Sequence, residues 1–321
     1  MPVHLPQLNR RQFLRRAALL GLTTALTPRA FAQLAAKPRD PDTVFLLSDT
    51  HIAADPRTVS HGVNMTDHLA AVVKQMLAWP VKPAAVIVTG DLAFHAGSDA
   101  DYAAFGQIIL PLRALAPIHL LLGNHDHRQR FWDAFPADAT RDGLADRQAA
   151  VVSAGRTDWI LLDSLEFTAH RPGLIGPEQL TWLTREIEAR PHRSSLVFCH
   201  HHLDPVVENA TLHGNLHLVP LIRDLGILGG LKDTPALVSL LTHHPAVKAF
   251  IYGHTHDWKT ARHYHDLQLV NLPPTAYVFE YGRPSGWVRA TFSDRGAELE
   301  LRALDPKHPQ HGQLKRLVWR A

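Results

Sequence analysis

The sequence has a single cysteine among its 321 residues, and this scarcity excludes an intrachain disulfide as a source of stability. It also lacks an internal repeat or a low-complexity linker that would divide it. Hydrophobic residues make up 45% of the chain, which is enough for a large core. The absence of any dividing segment therefore favours a single domain over residues 33–321.

An apolar run long enough to cross a membrane is also missing near the N-terminus. The uncharged stretch 17–28 has twelve residues, whereas a spanning helix needs about 20. Residues 9–14, NRRQFL, resemble a twin-arginine signal, and residues 30–32, AFA, form a small-x-small cleavage site. We predict that residues 1–32 are a twin-arginine export signal, that the mature protein is periplasmic and that it has no stable membrane span. The alternative is an amphipathic first helix of the fold.

Without residues 1–32, the chain has no surplus of positive charge. The whole chain has 33 Lys and Arg against 30 Asp and Glu, but residues 1–32 contain five arginines and no acid. The remaining 28 basic and 30 acidic residues give a net charge of −2 with histidine neutral. Because nucleic-acid-binding proteins need a cationic surface, we expect no nucleic-acid partner.

Short apolar runs of strand length alternate with helical patterns as far as residue 256. The runs predict buried strands at 43–47, 85–89, 118–122, 159–162, 196–199 and 249–252. Between them we predict a helix capped by Thr66, a helix that begins at Pro177, and helices at 99–115 and 234–244. This alternation predicts an α/β fold with strands buried on both faces.

Beyond residue 256 the pattern changes to strands without helices, predicted as consecutive antiparallel strands at 267–272, 276–281, 287–292 and 297–301. We therefore expect a core of two sheets with helices outside. The irregular segment 203–231 is long for a loop, which favours a role in covering a site. Its His213 and His217 either touch substrate or are exposed loop histidines. The basic tail, 305–321, is expected to be solvated or loosely docked.

Side chains that can bind metals follow the predicted strands up to residue 256. The blocks are Asp49-Thr50-His51, Gly90-Asp91, Gly123-Asn124-His125-Asp126, His200 and Gly253-His254-Thr255-His256. Because each block follows a buried strand, we expect the ligands to lie in loops at the carboxyl ends of the strands. Cys199 ends one of these strands and is interpreted as a buried small hydrophobe; the alternative is a metal ligand beside His200.

The residue types in these blocks suit a pair of divalent ions. Two ions about 3.5–4 Å apart can clamp a phosphoryl group and generate hydroxide near neutral pH. Asp91 is the natural bridging carboxylate, and Asp49 and His51 can reach one ion from an extended loop. Asn124 offers a neutral oxygen, and His200, His254 and His256 complete the set. Mixed nitrogen and oxygen ligation favours Mn, Fe or Zn over Mg or Ca.

The five blocks, taken in order, resemble those of the calcineurin-like metallophosphoesterases: D-x-H, G-D, G-N-H-[DE], H and G-H-x-H. The resemblance implies a four-layer α/β/β/α sandwich, in which two mixed β-sheets are flanked by helices. It also implies a first metal held by Asp49, His51, Asp91 and His256, and a second held by Asp91, Asn124, His200 and His254. His125 matches the family's general acid. The alternative for the His200 ligand is His201 or His202.

Two sequence blocks that mark other branches of the family are not found in this chain, and this limits which function the resemblance implies. Phe94 replaces the tyrosine ligand of purple acid phosphatases, and the G-D-x-V-D-R-G block of protein phosphatases is absent. The Ser48-Asp49-Thr50-His51 start and the 176–180 block look most like the class III cyclic-nucleotide phosphodiesterases. Our hypothesis is hydrolysis of a small phosphodiester, such as a 3′,5′-cyclic nucleotide, by a hydroxide bridging two metal ions. The alternatives are a broad-specificity phosphomonoesterase and a non-catalytic scaffold.

Overall fold

The computed structural model of the protein describes residues 37–204, 229–263 and 265–321. The predicted export signal at 1–32 lies outside the described residues, as does most of the segment 203–231 with His213 and His217. Both assignments therefore stay predictions. Within the described ranges, no helix is both long enough and apolar enough to span a bilayer.

In chain order the strands are β1 (Thr43–Leu47), β2 (Val59–Ser60), β3 (Val63–Asn64), β4 (Ala85–Val88), β5 (Ile118–Leu120), β6 (Ala150–Ala154), β7 (Thr157–Leu161), β8 (Ser194–Phe198), β9 (Val247–Tyr252), β10 (Lys259–His263), β11 (Leu267–Asn271), β12 (Gly286–Phe292), β13 (Gly296–Ala303) and β14 (Leu314–Val318). The α-helices are α1 (Met65–Ala78), α2 (Asp99–Ile109), α3 (Arg128–Ala134), α4 (Pro177–Glu188) and α5 (Thr234–His243), and a 3₁₀ turn, Leu110–Ala114, extends α2.

The strands form two mixed six-stranded sheets, with the orders β14-β13-β12-β1-β4-β5 and β10-β11-β9-β8-β7-β6. In the first sheet β1, β4 and β5 are parallel, while β12, β13 and β14 run antiparallel to their neighbours. In the second sheet β7, β8, β9 and β11 are parallel, and the edge strands β6 and β10 are antiparallel. The β2–β3 pair is a separate small hairpin.

Alternation along the central strands divides the core into layers, because successive strand side chains point to opposite faces. Leu196 and Phe198 join a cluster that connects the two sheets. Val197 and Cys199 join a second cluster, which contains the apolar faces of α4 and α5. On the far side of the first sheet, Trp287 donates to Gln75 of α1 at 2.8 Å. The predicted sandwich of two mixed sheets flanked by helices is confirmed.

Four local predictions were wrong. Helix α1 is capped by Asn64, whose side chain accepts from the amide of Asp67, and not by Thr66. Residues 276–281 form no strand, and β11 pairs in parallel with β9 instead of joining an antiparallel series. The tail is not loosely docked, because β14 is paired with β13 and Trp319 is buried. Periodicity alone did not reveal which of these late segments would find a partner.

Candidate metal centre

The predicted ligands lie in loops at the carboxyl ends of five parallel strands, where the two sheets meet. Several of these loops have a strained backbone. Nine non-glycine residues of the described chain have positive φ, and five of them are predicted ligands: Asp49 (52°), His51 (47°), Asp91 (51°), His254 (67°) and His256 (52°). Such conformations cost free energy and cluster at functional sites. The backbone is therefore shaped to bring these side chains together.

Main-chain hydrogen bonds connect these loops to one another. The amide of Asp49 donates to the carbonyl of Gly90 at 3.1 Å, and the amide of His51 donates to the carbonyl of Asp91 at 2.9 Å. From the second sheet, the amide of His254 donates to both carboxylate oxygens of Asp49, at 3.1 and 3.2 Å. The loops of the two sheets thus form one connected unit.

Two glycines permit this close approach. A Cβ atom at Gly123 would collide with the Oδ1 of Asp91 and lie 2.7 Å from the Nε2 of His200. A Cβ atom at Gly253 would lie 2.6 Å from the Oδ2 of Asp49. Any larger residue at either position would displace a predicted ligand. The glycine before each of these ligand blocks therefore has a steric reason.

Asp91 lies at the centre of the cluster. Its Oδ2 is 3.6 Å from the Nε2 of His51 and 3.3 Å from the Nε2 of His200. Its Oδ1 accepts from the amide of His125 at 2.8 Å. One carboxylate is thus shared between an imidazole that follows β1 and an imidazole that follows β8. This is the arrangement that a bridging ligand requires.

A second group of donors surrounds Asp49. The Nε2 of His256 is 3.4 Å from Oδ1 of Asp49 and 3.1 Å from the Nε2 of His51. The ligand atoms of Asp49, His51 and His256 all lie within 4.8 Å of one another, and so do those of Asp49, Asp91 and His200. Among the described residues, His200, His201 and His254 form a further group of this kind.

Backbone carbonyls fix the tautomers of two histidines. The Nδ1 of His200 lies 3.1 Å from the carbonyl of Thr89, and the Nδ1 of His256 lies 2.6 Å from the carbonyl of Tyr277. With the Nδ1 held by a carbonyl in this way, the neutral form of each imidazole presents its Nε2 lone pair to a metal, which is the usual support for a metal-binding histidine. The Nε2 of His200 and the Oδ1 of Asn124 are buried without a hydrogen-bond partner. These orphaned donors fit a divalent metal site.

The cluster is strongly coupled electrostatically. Burial by itself would raise the pKa of Asp91, but the nearby His200 holds the pKa of that carboxyl well below its usual range. Burial opposes charge on His200 as well, yet the Asp91 carboxylate raises the His200 pKa to about 9. For His51 burial dominates and lowers the pKa to about 3, so its imidazole is neutral at physiological pH.

His125 lies beside this cluster and lines the cavity above it. Its main-chain amide is anchored on Asp91, and its ring packs edge-on against His51 at 4.9 Å and parallel to His95 at 6.0 Å between ring centroids. The side chain is half-buried, and its Nδ1 has no hydrogen-bond partner. The ring is therefore positioned by packing at the wall of the cavity.

The consecutive histidines have different surroundings. His200 lies against Asp91, whereas the Nδ1 of His201 is 2.7 Å from the hydroxyl of Ser164. His202 lies 3.5 Å from Asp204. Of the three, only His200 contacts the Asp91 carboxylate in the described structure, which favours it over the two alternatives. Cys199 points into the helix-facing cluster, away from Asp91.

A cavity of about 530 Å³ opens over the cluster and contains residues that the sequence did not single out. Tyr277, Phe279 and Arg171 line it together with His51, Asp91, Asn124, His125, His254 and His256. The aromatics belong to the run that we predicted as a strand. Their alternation at 277, 279 and 281 after Pro273 and Pro274 was the available signal. No signal in the sequence pointed to Arg171 as a residue of the cavity.

Comparisons with known proteins agree with this geometry. The family model for calcineurin-like phosphoesterases matches residues 43–258. A 3′,5′-cyclic adenosine monophosphate phosphodiesterase of Pseudomonas aeruginosa is 28% identical over 236 residues, which cover 74% of this chain and 77% of that protein. A probable cyclic nucleotide phosphodiesterase of Rhodococcus erythropolis is 30% identical over 264 residues, which cover 82% of this chain and 80% of that protein.

Among solved structures, a dimetal phosphatase from Danio rerio superimposes with a TM-score of 0.64 over 88% of this chain and 100% of its own, at 17% identity. At that identity the likeness supports the fold alone. The family match, in contrast, extends over more than half of the chain and spans every predicted ligand. The chain therefore belongs to the calcineurin-like phosphoesterase family and is a metal-dependent phosphoric ester hydrolase.

Proposed function

We propose that this hydrolase acts on phosphodiesters, 3′,5′-cyclic nucleotides among them. The observation that carries the proposal is the position of Asp91, whose one carboxylate lies within 3.6 Å of His51 and 3.3 Å of His200. A shared carboxylate of this kind suits two adjacent cations. The printed names of the relatives from Pseudomonas aeruginosa and Rhodococcus erythropolis support cyclic nucleotides as the substrate class.

Two divalent transition-metal ions would occupy the cluster, Mn or Fe by preference and Zn as the alternative. In this proposal Asp49, His51, Asp91 and His256 hold the first ion, and Asp91, Asn124, His200 and His254 hold the second. When bound, such ions lower the pKa of water and neutralise charge on the phosphoryl oxygens. The orphaned Oδ1 of Asn124 and Nε2 of His200 support this assignment.

His125 is the proposed general acid. It lines the cavity where a substrate phosphate would enter, and its amide is held by the bridging carboxylate. A protonated imidazole there can donate a proton to the leaving alkoxide as the P–O bond breaks. Because an alkoxide is a poor leaving group, this step matters most for unactivated alkyl esters.

A substrate panel tests the proposal. The Mn²⁺-loaded protein is assayed with 3′,5′-cyclic AMP, 3′,5′-cyclic GMP, glycerophosphoethanolamine, bis(4-nitrophenyl) phosphate and the monoester 4-nitrophenyl phosphate. We expect higher kcat/KM on the diesters than on the monoester. A higher value on monoesters would favour the phosphomonoesterase alternative. Failure to retain any transition metal after loading would favour the non-catalytic scaffold.

We also propose export through the twin-arginine route, which rests on residues 1–32 of the sequence alone. Replacing Arg10 and Arg11 by Lys should retain the protein in the cytoplasm, whereas the parent chain is recovered in the periplasm. Cell fractionation with a cytoplasmic marker enzyme measures this. Equal periplasmic recovery of both chains would contradict the route.

A further inference from the structure

Phe279 leaves an aromatic ring uncovered at the wall of the metal-site cavity. The residue is 59% exposed and lines the same cavity as His125 and His256. A single exposed apolar side chain is ordinary on a protein surface. Phe279 differs from such a residue because it lies beside the proposed reaction centre, in the same cavity as the predicted ligands.

Tyr277 lines the same wall of the cavity, but its ring is covered by neighbouring side chains. Tyr277 is stacked on His51 and on His61, with ring centroids at 5.2 and 4.4 Å and interplanar angles of 23° and 22°. It is only 7% exposed. Its ring is therefore almost completely covered, and little of it is left for a ligand to stack on.

Phe279 has a different environment. It stacks on His256 at 4.3 Å with an interplanar angle of 25°, and it meets His61 and Tyr277 only edge-on, at 5.6 and 5.9 Å. One face of the ring is thus supported by a proposed metal ligand, while more than half of the residue stays open. A flat ligand group could stack on this ring close to the metal cluster.

The segment that carries Phe279 is fixed on both sides. Before it, the amide of Ala276 donates to the carbonyl of Asp49 at 3.0 Å, and the carbonyl of Tyr277 accepts from His256. After it, Arg283 pairs with Asp257 at 3.0 Å and with Glu280. The ring is therefore held in place before a ligand arrives, which reduces the entropy lost on binding.

We propose that Phe279 is the stacking platform for the nucleobase of the substrate and so determines specificity for nucleotide diesters over aliphatic diesters. This inference rests on the proposed function. A nucleobase has a flat aromatic face, and base–aromatic stacking changes affinity by roughly 5- to 150-fold per base. An aliphatic alcohol such as glycerol has no such face. Discrimination therefore follows from one ring and needs no hydrogen-bonding readout of the base.

The test compares Phe279→Leu with the parent protein on 3′,5′-cyclic AMP and on glycerophosphoethanolamine. Leucine keeps apolar bulk against His256 but has no aromatic face. We expect KM for cyclic AMP to rise roughly 5- to 150-fold while kcat changes by less than about twofold. Kinetics on glycerophosphoethanolamine should be unchanged. Phe279→Trp, which keeps an aromatic face, should have a KM for cyclic AMP close to that of the parent protein.

Tyr281→Leu is the matched control, because Tyr281 is fully exposed in the same segment and does not line the cavity. It should leave both substrates unaffected. An equal loss on both substrates in Phe279→Leu, with a fall in bound metal, would assign the ring to support of His256 and overturn the inference. No change on either substrate would also overturn it.

Calorimetric binding of 5′-AMP and glycerol 3-phosphate separates this inference from the proposed function. We expect Phe279→Leu to weaken 5′-AMP binding by the same factor and to leave glycerol 3-phosphate binding unchanged. If the parent protein cleaves no diester but shows this binding difference, the proposed function fails, and Phe279 is a site of nucleobase stacking without a role in diester specificity. If diesters are cleaved and the binding difference is absent, the platform fails alone.

Discussion

The Nε2 of His200 lies 3.3 Å from the Oδ2 of Asp91, and this contact joins the two sheets of the fold. Asp91 follows β4 of the first sheet, and His200 follows β8 of the second. The two residues are 109 positions apart in the chain. The geometry of the ligand cluster therefore depends on how the two sheets pack. A change in the position of either sheet should alter the distance between Asp91 and His200.

If Asp91 bridges two ions as proposed, replacing it by Ala should remove both ions together. Its carboxylate is the group that both halves of the cluster share, so its loss leaves each half one ligand short. We expect bound Mn measured by elemental analysis to fall for both sites and activity to fall at least about 10²–10³-fold. Asp133→Ala, on the exposed face of α3, is the control. Retention of one full equivalent of metal by Asp91→Ala would argue against bridging.

Replacing His125 by Ala should separate metal binding from catalysis. Its side chain is not among the proposed ligands, so metal content should be unchanged. Turnover of glycerophosphoethanolamine should fall roughly 10²–10⁴-fold, because the alkoxide loses its proton donor. Hydrolysis of bis(4-nitrophenyl) phosphate should fall much less, since nitrophenolate leaves without protonation. Equal losses on the two substrates would be inconsistent with a general acid.

Replacing Gly123 by Ala should weaken metal binding and also lower stability, because the new Cβ would lie 2.5 Å from the backbone nitrogen of Asp91. The new Cβ would collide with the Oδ1 of Asp91 and lie 2.7 Å from the Nε2 of His200. We expect about 10- to 100-fold weaker Mn affinity by calorimetry, as for other disturbed ligand supports. Gly312→Ala is the control: its Cβ meets nothing within 4 Å, although its φ of +73° costs about 1 kcal/mol of stability. Metal affinity in Gly312→Ala should match that of the parent protein.

The thiol of Cys199 should be inert in the folded protein. Burial raises its pKa to about 12, so the thiol is protonated and unreactive at pH 8. A disulfide reagent should label it only after unfolding, read by thiolate release at 412 nm. Because the unfolded thiol ionises near pH 9, its contribution to stability should decrease between pH 9 and 12. Rapid labelling of the native protein would contradict the buried position, and faster labelling on metal removal would revive Cys199 as a ligand.

The last residues should contribute to stability. Trp319 is buried in the cluster between the sheets and donates to the carbonyl of Ser293 at 2.8 Å. Trp319→Ala should lower the free energy of unfolding by about 3–5 kcal/mol in a denaturant titration. Its neighbour Val318 is 65% exposed, so Val318→Ala should change stability by less than about 0.5 kcal/mol. Similar small effects for both would indicate a loosely docked tail after all.

Much of the fold and the candidate site could be predicted from local sequence. The runs before Asp49, Asp91, Asn124 and His200 are buried on both faces, and such strands have a continuous apolar pattern that is easy to recognise. Glycine beside a ligand, as at Gly90 and Gly123, has a local steric signal as well. The positions of β1, β4, β8 and β9 needed no knowledge of the partner strands.

Segments whose structure depends on a distant partner were predicted poorly. Residues 276–281 have a strand-like pattern, yet their amides and carbonyls bond to Asp49 and His256 instead of to a neighbouring strand. The polar tail around Leu314–Val318 gives little apolar signal, and it becomes an edge strand because β13 offers a free edge. Pairing of this kind is decided by geometry that no window of sequence contains.

The order of aspartate, histidine and asparagine blocks after strands was sufficient to predict the chemistry, because the ligand types and their strand-end positions are local properties. Tertiary structure alone decided that Asp91 stands between histidines of both sheets, that carbonyls orient His200 and His256, and that Phe279 remains open. These are distances between loops far apart in the chain. They arise only when two sheets pack and their carboxyl ends meet.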